Sequence, residues 1–162
     1  MTLTQTNRLT TQEWEDLRRT LEAVANAIMV AHPGGYAEEK RMIRHEWAEG
    51  PRRFPQNEFV FQLFCAMPDE LRALNEQKTA HPGGGVAETI DEAVEMCRKA
   101  TDLVRAKAPE EQGNFRDVVL YMANKVAGAS KEGGFLGFGG KTISDAEKSV
   151  IDRLIAVLPA AP

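Results

Sequence analysis

Apolar residues recur along the chain at steps of three and four, and sustained alternation of apolar and polar positions is missing, a pattern that predicts helices and no sheet. Trp14, Leu17, Leu21, Val24 and Ile28 share one helical face, and Ala25 and Met29 widen it. Thr10 and Glu13 have the Thr-x-x-Glu spacing in which side chains satisfy the orphan amides of a helix start. A first helix is therefore expected from Thr10 or Thr11. His32-Pro33-Gly34-Gly35 ends it, because the residue before proline is pushed out of helical geometry and glycine accepts a positive φ. A second helix is expected over about Tyr36 to Glu49. Its stripe of Tyr36, Ile43 and Trp47 is narrow and set among many charges, so it reads as peripheral.

Gly50 to Pro55 reads as a loop from its glycine and two prolines. The run Phe59 to Met67 is apolar nearly all round, which suits a buried helix or a strand; helix is preferred because no partner strand is visible. Pro68 opens a short helix to about Lys78. After a second turn, His81 to Gly85, a long helix is expected from about Ala87 to Lys107, with Ile90, Val94, Cys97 and Val104 along one side. Pro109-Glu110-Glu111 starts another helix that runs to about Lys131 and buries Phe115, Val118, Val119, Met122 and Val126. Ser144 and Glu147 form a capping box for a last apolar-faced helix ending near Leu158. The predicted fold is an all-α, single-domain bundle of about six helices over residues 10–158, with a flexible 1–9 segment and a frayed 159–162 tail. Ala-His-Pro-Gly-Gly occurs at 31–35 and again at 80–84, each time before an acidic helix, which suggests two similar helix-turn-helix units.

Composition fits this picture. At 162 residues the chain is long enough for one core, and 43% hydrophobic with 27% charged residues argues against global disorder. A net charge of −4 makes nucleic acid a poor partner. No apolar run reaches the length of a membrane span, and the first residues lack a basic-then-apolar leader pattern, so a cytoplasmic protein without membrane contact is expected. Cys65 and Cys97 sit in apolar stretches outside any ligand spacing; they read as small buried hydrophobes, with a disulfide between them left open.

Candidate chemistry is sparse. Residues 133–140 hold five glycines before Lys141-Thr142, yet a phosphate loop needs glycine five places before Gly140 and finds Phe135. The loop reads instead as a compact turn that folds its aromatic residues onto the bundle end, or as an exposed anchor of Phe135, Leu136 and Phe138 for another protein. His32 and His81, at equivalent turns, are candidate metal ligands, although a helix end also selects histidine for its dipole. His45 lacks the glutamate three places before it that a di-iron bundle requires, since that position is Met42. No local nucleophile motif is present, no cofactor is expected, and an enzyme with a pocket between helices remains open because triads assemble from distant residues.

The string KEGGFLGFGGKTISDAEKSVIDRLIAVL, Lys131 to Leu158, resembles the C-terminal end of a family of small uncharacterised bacterial all-helical proteins. More loosely, Ile143, Ser144, Glu147 and Lys148 after a glycine turn are similar to tellurite-resistance TerB-like proteins. That second resemblance implies a helical bundle associated with metal stress, with Glu132 and Asp145 as the carboxylates nearest the turn. The leading expectation is a non-enzymatic protein acting through protein contacts or self-association in a stress-related setting. Metal binding by a TerB-like protein is second. A small-molecule site or enzyme between helices is third.

Overall fold

In the computed structural model, residues 8–32, 36–54, 56–65, 85–132 and 143–160 are described. Among them are six α-helices and no strand. The helix α1, Thr11–Ala31, opens on the expected box: Glu13 N–H donates to Thr10 Oγ1 at 3.2 Å, and Thr10 N–H donates to Glu13 Oε2 at 2.8 Å. It ends at His32, whose extended backbone leaves the helix just before Pro33. The helix α2 is Tyr36–Arg53 and α3 is Glu58–Phe64, the latter capped by Asn57, which accepts from Val60 N–H at 3.0 Å. The preference for helix over strand in the Phe59 region is therefore right for residues 58–64.

The helix α4, Val86–Lys107, is followed by a 3₁₀ turn, Pro109–Glu111, and by α5, Gln112–Glu132. The helix α6, Asp145–Val157, is capped by Ser144 and Glu147 in the predicted manner. The proposed short helix after Pro68, the second Ala-His-Pro-Gly-Gly turn and the glycine loop lie outside the described residues.

The central element is α1, which packs against α4, α5, α6 and α3. Its Leu17, Leu21, Val24 and Ile28 are buried in one cluster with Cys97 and Val104 of α4, Phe115, Val118, Val119, Met122 and Val126 of α5, and Leu154 of α6. Each such large side chain contributes about 1.5–3 kcal/mol by leaving water. The side of α4 that is buried is not quite the one expected. Ile90 and Val94 are only half-buried, whereas Thr89, Ala93, Ala100 and Thr101 join Cys97 and Val104 inside. Small side chains on that face let α1 approach closely.

Four further readings are corrected. The loop expected at Gly50 is the last turn of α2, with Pro51 inside the helix. Proline removes one ladder hydrogen bond, but the buried stripe Ile43, Trp47, Gly50 continues through it and holds the turn in place. Nor is α2 peripheral: Glu39, Ile43, Glu46 and Trp47 are all buried, and the helix packs on α5 and α3. Gly50 is required there, because a Cβ would sit 2.4 Å from Cγ and Cδ1 of the Phe64 ring. Cys65, expected inside, is exposed, while Cys97 is buried, and both are free thiols. Pro159, assigned to the frayed tail, is buried, and its carbonyl accepts from Arg116 Nη1 at 2.7 Å.

Candidate functional site

Two places between helices concentrate polar side chains. The first lies between α1 and α4. Glu13, Asp16, Arg19 and Thr20 line it from α1, and Met96, Lys99, Ala100 and Leu103 line it from α4, enclosing about 460 Å³ in an open groove. The spacing of each set is one helical face over two turns. Lys107 Nζ lies 2.6 Å from Glu13 Oε1, which places the end of α4 beside the start of α1. The two helices therefore run antiparallel along the groove, and Arg19 and Lys99 share the end away from that ion pair.

The floor is apolar. Thr20 and Ala100 are buried, Met96 and Leu103 are half-buried, and the small Ala100 leaves the space that a larger residue would fill. Thr20 adds no free donor, since its hydroxyl donates to the Asp16 carbonyl at 2.8 Å. On the rim the charges differ in how fully they are engaged. Both Glu13 oxygens are used, by Lys107 and by the Thr10 amide, and the hydrogen bond from Lys107, then that from Thr10, holds its carboxyl below the usual range. Asp16 Oδ1 accepts from the Gln12 amide at 3.0 Å. Lys99 reaches Glu95 only at 3.8 Å, and that carboxylate is already held by Arg98 at 2.6 Å. Arg19 makes no hydrogen bond or ion pair with the described residues.

The second place lies between α2 and α5. Glu46 is 1% exposed, yet it is a fully bonded carboxylate. Arg53, seven residues on and so on the same face of α2, meets Oε2 through Nε at 3.2 Å and Oε1 through Nη2 at 3.3 Å. The Tyr121 hydroxyl of α5 donates to Oε2. Burial, then the hydrogen bond to Glu46, raises the Tyr121 pKa well above the usual phenol value. Rings surround the group: Phe54 packs edge-on against Tyr121 at 5.5 Å and stacks on Phe64 at 6.2 Å, while Trp47 meets Phe64 edge-on at 5.7 Å. Lys125 Nζ and the Arg53 guanidinium lie 5.7 Å and 6.0 Å from the Tyr121 ring centre. This cluster joins two helices and the chain leaving α2. Arg53 and Tyr121 both face Glu46 within it, while Trp47 Nε1 is buried without a hydrogen-bond partner among the described residues.

The sequence-derived candidates fall elsewhere. Phe135, Leu136, Phe138 and His81 lie outside the described residues, as does the side chain of Glu132, the last residue of α5. His32 is half-buried at the C-terminal end of α1, and Asp145 is exposed in the first turn of α6. Among the described residues, no group of three or more His, Cys, Asp or Glu side chains is gathered as a metal site would require. His45 is exposed on α2. The groove was missed because its two walls are far apart in sequence. Glu46 carried a signal: an acid beside Trp47 and three residues after Ile43 falls on an apolar stripe and needs a partner there.

No family model, curated protein or solved structure matches the chain. The fold defines it as an all-α, single-domain helical bundle. None of the described helices is long and apolar enough to cross a membrane.

Proposed function

We propose that the protein is a non-enzymatic, cytoplasmic interaction protein whose contact surface is the groove between α1 and α4. One observation carries the reading: an apolar floor of Met96, Ala100 and Leu103 lies open between charged rims, two helical turns long. Such a surface suits a short polypeptide segment laid along the two helices, with apolar anchors below and polar side chains at the edge. The inter-helix region with the most developed polar chemistry, around Glu46, is closed upon itself by Arg53 and Tyr121. It therefore serves as a structural joint.

A second reading, a small-molecule site, is favoured by volume alone, because about 460 Å³ falls within the roughly 300–1,000 Å³ typical of ligand pockets. Photocrosslinking separates the two. A photoreactive amino acid is placed at Leu103, with exposed Ile155 on α6 as the control position. On irradiation of cells making the full chain, a polypeptide adduct from position 103 and none from 155 is expected. A small-molecule adduct at 103 would support the second reading. Equal labelling from both positions, or none from either, would contradict the groove as a contact surface.

A further inference from the structure

We draw no further inference here: the strongest candidate, the chemistry of whatever occupies the open groove between α1 and α4, carries nothing because Glu15, Asp16 and Glu22 lie within one helical turn of Arg19 and Glu95 and Asp102 within one turn of Lys99, so its charges select no partner and nothing in the structure shows what covers it.

Discussion

Between α2 and α5 a carboxylate that is 1% exposed is bonded through both oxygens, whereas between α1 and α4 an arginine at the edge of an open groove has no partner among the described residues. Both regions are helix pairs with charged side chains at their seam. The difference is where the charge sits relative to water. A buried carboxylate without counter-charge costs several kcal/mol, so Glu46 is compatible with the fold only because Arg53 and Tyr121 reach it. An exposed arginine costs almost nothing left alone, so its position carries no structural demand and is free to serve contact. The first region explains why the bundle has its shape. The second is where the bundle is available to something else.

If α2 and α5 are locked as described, the largest loss should come from Gly50→Val. The new side chain enters the Phe64 ring, and stability in urea unfolding should fall by roughly 3 kcal/mol. An unchanged midpoint would mean that α2 does not continue through Gly50. Arg53→Ala should cost about 1–2 kcal/mol, less than a fully buried pair because Arg53 is 42% exposed while Glu46 keeps Tyr121. Tyr121→Phe should cost about 1 kcal/mol. A double-mutant cycle between Glu46 and Arg53 should show coupling of about 1 kcal/mol, and additive losses would refute the joint. On the other side, Arg19→Ala and Lys99→Ala should each leave stability within about 0.5 kcal/mol. A larger loss would show the groove rim to be structural too.

Titration sharpens the same contrast. Burial pushes the Cys97 thiol up to about 12 from 9.0, and Tyr121 is also raised, so both favour the protonated native state. Their contribution is fully present below the unfolded-state values and is lost as pH rises beyond about 9, first through Cys97 and then through Tyr121. Stability measured against pH should therefore decline on the alkaline side, and Cys97→Ala should remove the earlier part of that decline. At pH 8, iodoacetamide should label exposed Cys65 while Cys97 stays unreacted until the protein unfolds. Glu13 behaves oppositely: its depressed value gives stability above the usual carboxylate range that is lost as pH falls, and Lys107→Ala should reduce that part while the Thr10 bonds keep the rest.

Local chemistry made much of the fold legible in the sequence. The Thr10–Glu13 and Ser144–Glu147 boxes are recognisable because cap and acid are three residues apart, and the buried face of α5 follows from periodicity alone. Pro51 misled because proline's breaking tendency is local, whereas the packing of Gly50 on Phe64 that keeps the turn helical is tertiary. The α4 stripe was displaced because Ala93, Ala100 and Thr101 carry little hydrophobic signal yet allow the closest approach of α1. The groove was illegible for the same reason. It exists because Thr20 and Ala100 are small and face a common space, a fact about two helices some eighty residues apart in sequence. What makes Arg19 distinctive, the lack of an ion pair with any described residue, becomes visible only when its neighbours are known.

The most direct test of the groove as contact surface is an amide NMR titration of the full chain with a peptide selected against it from a displayed random library. Shift changes should concentrate at residues 13–20 and 96–103, while the amides of Glu46, Arg53 and Tyr121 stay still. Changes centred on the Glu46 cluster, or spread evenly over the bundle, would contradict the account.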